Sequence, residues 1–352
     1  QCRKKYFLPA AAPVMFNCIW IVAVWVRPDV HFLAIAVTAA FAGQWFVTSF
    51  EGWRLLRFKQ WLRPQLFSLE FKKLLKPLLL GIIGISAVQF NSALDTLFAR
   101  IADLKGPAFL WYAIRIQQLP LALFGVALSG ALLPPLSRTQ DPVQRQTLLH
   151  SALKQSAALM LVCTFGILSF GEAGIRLLYG HGDFSAADVQ ATKICLWAYG
   201  AGLVPSVFVL ILAARFYAEK NYRIPTMASL LSVGANIGLN TLFVFGLGLG
   251  ACSVAIATSL SSLLNMAVLS RGAFTKDFGA YFLKIALACA SASLVVFGLQ
   301  QIWAPSADLF LQASQLVVLG IVYVLLALAQ FAVAEAIRKV DHKSDDQPEN
   351  HL

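Results

Sequence analysis

Apolar runs of about twenty residues, separated by short polar or basic stretches, recur along the whole chain. A helix rising 1.5 Å per residue crosses a hydrocarbon core of ~30 Å in about twenty residues. The pattern predicts ten spans, at about 6–26, 31–50, 74–100, 108–133, 149–170, 190–213, 225–246, 250–270, 280–301 and 314–337. The runs are continuous and do not alternate with period two, which excludes a transmembrane β-barrel. The expected fold is an all-α polytopic membrane protein. Between spans, Ser185 reads as a helix N-cap, and the glycine run Gly246–Gly250 reads as a tight turn. That run lacks the strand a dinucleotide loop would need. Prolines inside or near spans (Pro9, Pro13, Pro77, Pro120, Pro134, Pro135, Pro205) free carbonyls and permit kinks.

Composition agrees. The 352 residues are 59% hydrophobic and only 13% charged, with a mean hydropathy of +0.71, which leaves too little charge for a soluble domain of this length. The net charge of +11 invites a nucleic-acid reading, but its distribution argues against one. Basic residues gather in alternate loops: Arg54, Arg57, Lys59, Arg63, Lys72, Lys73 and Lys76; Arg138, Arg145 and Lys154; Arg215, Lys220 and Arg223; Arg271, Lys276 and Lys284; Arg338, Lys339 and Lys343. Arg3, Lys4 and Lys5 fall on the same side, and the opposite face carries only Arg27, Arg100, Lys105, Arg176 and Lys193. By the positive-inside rule both ends of the chain are cytoplasmic. The connector 51–73 is basic and bears tryptophan, suiting the interface, and the tail from Asp341 is polar enough to be disordered. The first residue is Gln1, directly before an apolar span, so we expect an N-terminally incomplete sequence.

Charges inside spans carry the chemistry. Arg115 lies within the span that begins near residue 108. A guanidinium stays charged at ordinary pH, and at mid-bilayer it costs at least ~2.5 kcal/mol. It therefore faces a watery cavity or an anionic partner, and anionic cargo is the expectation. Asp95 is the second such charge, with Gln89, Asn91 and Thr96 on the same span. Protonation, an ion pair or a bound cation would each resolve its cost, as would a locally hydrogen-bonded packing role.

Asn236 and Asn240, four apart, share a helix face, as do Val254 and Thr258 on the next span. With Asp95 and a freed backbone carbonyl they would supply hard oxygen ligands for a small cation. Asn, Ser and Thr also join membrane helices by plain hydrogen bonds. Sequence alone favours that plainer role unless the helices converge on Asp95. The six cysteines are scattered without redox or metal-ligand spacing, and the five histidines are dispersed. No nucleophile set is apparent, and Glu172 and Asp183 read as loop acids without partners. Nothing points to an enzyme.

With Arg115 on a proline-bearing span, the chain resembles the MurJ (MviN) lipid II flippase family of the multidrug/oligosaccharidyl-lipid/polysaccharide exporter superfamily. The resemblance rests on Leu94–Arg138 (LDTLFAR…WYAIRIQQLPLALFGVALSGALLPPLSR), PAAAPVMFN (Pro9–Asn17), LLYGHGDFSAAD (Leu177–Asp188) and ARFYAEKNYRIPT (Ala214–Thr226). It implies a fourteen-span architecture of two six-helix lobes plus two final helices, of which this chain matches spans five to fourteen. Residues 1–73 would end the first lobe and include the connector, 74–270 form the second lobe, 271–340 the terminal pair and 341–352 the tail. The family's first four spans, with the basic residues that join Arg115 in holding pyrophosphate, have no counterpart here. Ile114 and Gln118 stand where the family has acids, and Asn221 and Ile224 where it has Asp and Thr.

The resemblance implies transfer of lipid II or a related polyprenyl-diphosphate glycan across a bacterial inner membrane by alternating access. Arg115 would sit on the pyrophosphate and the terminal spans would offer a groove for the lipid tail. Asp95, Asn236, Asn240, Val254 and Thr258 match the pattern of cation-coupled members, with Asn240 in place of an acid. This implies sodium or proton coupling with no other cofactor. A monomer is expected. A cation-coupled drug or polysaccharide exporter, and a degenerate membrane scaffold, are the alternatives.

Overall fold

The computed structural model describes residues 7–27, 29–53, 69–303 and 309–345. Arg3, Lys4 and Lys5, most of the basic connector (54–68) and the last seven residues lie outside the described residues. Contacts divide the chain into two units, Gln1–Leu75 and Lys76–Leu352.

In the first unit, α1 (Phe7–Val26) and α2 (Val30–Trp53) pack together as a helical hairpin. Their seam is made of small residues, Ala12, Ala23, Ala36 and Ala40, all buried. Small side chains let backbones approach closely where lipid gives no hydrophobic drive to associate. Phe16 and Phe41 close the seam with ring centroids 4.9 Å apart, and Trp25, Val22 and Trp45 face outward.

The second unit begins on the long helix α3 (Leu69–Ala102). It continues with α4 (Gly106–Pro120), which runs through a π-helical stretch (Leu121–Val126) into α5 (Ala127–Arg138). The wider turn begins directly after Pro120, whose ring blocks an ordinary helical bond to the preceding turn. Then follow α6 (Pro142–Tyr179), α7 (Ala186–Ala201), α8 (Leu203–Ala218), α9 (Arg223–Thr241) with a π-turn at Leu242–Gly246, α10 (Cys252–Leu269), α11 (Lys276–Ile302) and α12 (Leu309–Asp345). Each of the ten expected spans coincides with one of these helices or with a consecutive pair. Among the described residues, eight stretches are long and apolar enough to cross a membrane.

The α7–α8 span is the most buried of these and forms the centre of the unit. α7 packs on α4, α6 and α10, α8 packs on α5, α6 and α10, and α9 packs on α10. α11 and α12 pack on each other and on α6. The span breaks at Gly202. A Cβ there would lie 2.4 Å from Ser259 Oγ and 2.9 Å from its Cβ, so only glycine lets α10 cross this close. Pro205 is tolerated because it sits in the first turn of α8, where its missing N–H is not needed.

Three expectations change in detail. The loop between α6 and α7 is only 180–185, because α6 continues past the expected span end near residue 170 to Tyr179. Glu172 is thus a helical residue with partners: Arg176 at 2.9 Å and Lys193 at 2.8 Å, with Gln190 donating at 3.0 Å. The sequence reading had it unpaired, because two of these partners come from α7. Finally, α12 runs to Asp345, past Asp341, where the tail was expected to begin. Ser185 does cap α7, through a reciprocal box with Asp188, and Asp188 also binds Lys105 at 2.9 Å. The Gly246–Gly250 run is a turn, with Gly248 at a φ of +62°.

Gly202→Ala is expected to destabilise the protein by about 1–3 kcal/mol, the usual cost of overpacking a close crossing. A thermal midpoint in detergent indistinguishable from wild type would contradict the tight α8–α10 approach.

Candidate functional site: a buried acid–amide cluster

α3, α9 and α10 converge on Asp95. Asn240 Nδ2 donates to Asp95 Oδ1 at 2.8 Å and lies 2.8 Å from Asn236 Oδ1. Thr258 Oγ1 is 2.8 Å from Asp95 Oδ2 and 3.0 Å from the Val254 carbonyl, so its one proton serves either. Asn236 Nδ2 donates back to Thr258 Oγ1 at 3.3 Å, and Asn91 Nδ2, one turn before Asp95, donates to Oδ2 at 3.3 Å. Asn236, Asn240 and Val254 are fully buried, and Asp95 nearly so. Helical spacing explains the assembly: four-residue steps put Asn91 under Asp95, Asn236 under Asn240 and Val254 under Thr258.

The donor set is rich in oxygen: a carboxylate, three amide carbonyls, a hydroxyl and a backbone carbonyl. Two of these acceptors, Asn91 Oδ1 and Asn240 Oδ1, are buried without a hydrogen-bond partner. Orphaned acceptors beside a buried carboxylate are costly unless a cation or a proton compensates. The residues therefore fit a hard monovalent cation. Among the described residues no group of three or more His, Cys, Asp or Glu side chains is placed to hold a metal ion.

A cavity of about 690 Å³ opens beside the cluster, lined by Asn91, Asp95, Trp111, Gln118, Tyr199 and Thr258 among others. Arg115 lies on the same face of α4 as two of these. Its guanidinium stacks over Trp111 at 4.7 Å, and its Nη1 is 3.4 Å from Gln118 Oε1. It is exposed, and among the described residues neither it nor Asp95 has an ion-pair partner. Arg100 turns away, donating to the Leu104 carbonyl at 2.6 Å. Sequence reasoning placed Asn91 on the right span but not in the cluster. It missed Tyr199, whose only sequence signal is a phenol inside an apolar span.

Fold and site define a polytopic helical membrane protein with a polar cavity and a buried acid–amide cluster. The chain belongs to the family described as Lipid II flippase MurJ, whose model matches residues 1–329. It is 33% identical over 282 residues to a probable lipid II flippase MurJ of Chlamydia trachomatis serovar D, covering 76% of this chain and 51% of that one. It is 28% identical over 299 residues to the Thermotoga maritima protein of the same description, covering 84% and 60%. The chain thus spans about half the length of the first of these relatives. A solved structure described as lipid II flippase MurJ in an inward closed conformation shares the fold, with TM-score 0.72 at 22% identity, covering 96% of this chain and 69% of the other.

Thr258→Val keeps the side-chain volume but removes the hydroxyl, and is expected to lower stability by about 0.5–2 kcal/mol. Paired with Asp95→Ala, which removes the acceptor, in a double-mutant cycle, it should show coupling, because both act on one hydrogen bond. Additive effects would mean that the bond does not form.

Proposed function

We propose that this chain supplies the second lobe and terminal helices of a flippase that moves lipid II from the cytoplasmic to the outer leaflet by alternating access. In this reading residues 1–73 end the first lobe, 74–270 form the second and 271–340 the terminal pair. The setting is a bacterial inner membrane with both ends of the chain in the cytoplasm, and the protein works as a monomer. The observation that carries the reading is the juxtaposition of an unpaired Arg115 face with a polar cavity and the Asp95 cluster, within a chain of this family.

Arg115 is placed to accept a diphosphate. Its guanidinium offers a planar fork of donors suited to phosphate oxygens, and stacking on Trp111 orients that fork at little entropic cost. Ile114 and Gln118, where the family has acids, leave it without internal neutralisation, so an anion is its natural counter-charge. Outward movement of an anion is favoured by an inside-negative potential at ~2.3 kcal/mol per charge per 100 mV. The terminal helices α11 and α12 present apolar faces suited to a polyprenyl tail.

Asp95, Asn91, Asn236, Asn240, Thr258 and the Val254 carbonyl are the residues that would hold a coupling cation, with sodium the natural fit. A bound cation would neutralise the buried carboxylate and satisfy the orphaned amide oxygens. A proton on Asp95 would do the first but not the second, and on that ground sodium is preferred. The cluster joins α3, which begins the lobe, to α9 and α10, which end it. Its occupancy therefore bears on how tightly those helices stay together as the lobes rock.

In cells depleted of their own flippase and supplied with the full-length protein, Arg115→Ala should cut lipid II export about tenfold to a hundredfold. That range corresponds to one charge-assisted hydrogen-bonding group worth ~1.5–3 kcal/mol. Arg115→Lys should retain part of the activity. Full export by both variants would remove the diphosphate role, and failure of the wild type despite normal insertion would favour a drug exporter or a scaffold.

Asp95→Asn should abolish any dependence of export on a sodium gradient. If wild-type export ignores sodium and proton gradients alike, and Asp95→Asn is unchanged, the coupling role falls.

A further inference from the structure

Cys195 and Cys252 are 57 positions apart in sequence, and their sulfurs lie 2.6 Å apart. Cys195 is fully buried in the middle of α7, and Cys252 is the partly buried first residue of α10. We infer that these two thiols are the site of a disulfide that ties the outer end of α10 to α7. The inference rests on the sidedness proposed above, which puts the turn 247–251 on the outer face.

The register between the two helices brings the sulfurs together by design of the packing and not by one stray rotamer. Cys252 Sγ also contacts the Ala191 carbonyl at 3.3 Å. Seven residues further along both helices, Ser259 Oγ donates to the Ala198 carbonyl at 2.7 Å. The same pairing of α10 side chain with α7 backbone thus repeats after two helical turns. Next to it, a Cβ on Gly106 would lie 2.8 Å from the Ala251 Cβ, so the start of α10 is also pressed against α4. The crossing holds each sulfur within reach of the other.

A thiol at the outer end of α10 meets an oxidising environment, where disulfides persist. The required oxidant is a protein thiol oxidant carrying a reactive disulfide. Cys252, next to the exposed residues Leu247–Gly250, is the thiol such an oxidant can reach. Its thiolate attacks one oxidant sulfur, forming a mixed disulfide and expelling the other as a thiolate. Deprotonated Cys195 then attacks Cys252 Sγ, forming the Cys195–Cys252 bond and releasing the second oxidant sulfur. The two protein thiols lose two electrons and two protons in all, and the oxidant disulfide becomes a dithiol.

The bridge has a consequence for the cluster. Val254 and Thr258 follow Cys252 on α10, so a covalent tie at Cys252 anchors the end of the helix that presents both groups to Asp95. It also closes a long loop through α8 and α9, which restricts the unfolded chain.

The test uses the full chain in its membrane. Spheroplasts are quenched in acid, which denatures the protein so that burial shields no thiol, and are then treated with a first alkylating reagent. The purified protein is digested with and without reduction, a second reagent of different mass marks thiols released by reduction, and peptides are read by mass spectrometry. The expected result is a linked pair containing Cys195 and Cys252, lighter than its two peptides by the mass of two hydrogens. The pair should vanish on reduction and in Cys195→Ser and Cys252→Ser. Reductant should lower the thermal midpoint of the wild type but not of the Cys195→Ser/Cys252→Ser double variant.

Both cysteines carrying the first reagent would overturn the disulfide. A parallel sample with Asp183→Cys, in the loop 180–185, is labelled with a membrane-impermeant maleimide. Free thiols with a labelled loop defeat the disulfide alone. Free thiols with an unlabelled loop defeat it through the sidedness on which it rests.

Discussion

A carboxylate inside a membrane span must be compensated, and this unit is organised around how Asp95 achieves it. Hydrocarbon offers no partners, so each oxygen of Asp95 draws a donor from another helix: Asn240 from α9 on one side and Thr258 from α10 on the other. Those contacts set where α9 and α10 stand with respect to α3. The apolar faces of these helices could pack in several registers at similar energy, because lipid tails are as apolar as leucine. A polar cluster with fixed geometry removes that freedom. It also leaves two buried amide oxygens, Asn91 Oδ1 and Asn240 Oδ1, without a hydrogen-bond partner.

Around this cluster the unit combines firm and yielding parts. The α7–α8 span is firm, being the most buried of the spans, and the close crossing at Gly202 locks it to α10. The end of the unit that carries the 180–185 loop is pinned by Glu172 with Lys193 and by Asp188 with Lys105. By contrast α4 passes through a π-helical stretch after Pro120, and α9 ends in another. Such stretches carry backbone bonds that shift readily and often mark functional sites. Arg115 sits one turn and a half before the first, and Asn240 two residues before the second. Two of the helices that bear the site's polar groups, α4 and α9, therefore adjoin π-helical backbone.

Much of this was legible in the sequence. Helices show themselves in apolar runs because an unpaired backbone cannot cross hydrocarbon, so each of the ten expected spans falls on a helix or a consecutive pair of helices. The cap at Ser185 and the turn at Gly248 follow from local chemistry. Asp95, Asn236, Asn240, Val254 and Thr258 stand out because polar groups are rare in such runs, and four-residue spacing places each pair on one face. The span expected to end near residue 170 belongs to a helix that runs to Tyr179, since no local signal marks where an apolar helix leaves the membrane. Glu172 was read as unpaired, since its lysine lies 21 residues away on another helix.

What the sequence determined by itself is whatever depends on residues near one another along the chain: spans, caps, turns, helix faces and family membership. Only the tertiary structure decided which faces meet. It brought Asn240 to Asp95 across 145 residues, set Tyr199 at the cavity wall, and placed Cys195 against Cys252 although their spacing carries no redox signature. The physical reason is common to all three. Helix periodicity is a local property written in every few residues, whereas the pairing of faces depends on side-chain volumes and buried polar bonds summed over the whole unit, and these become definite only once the helices have packed.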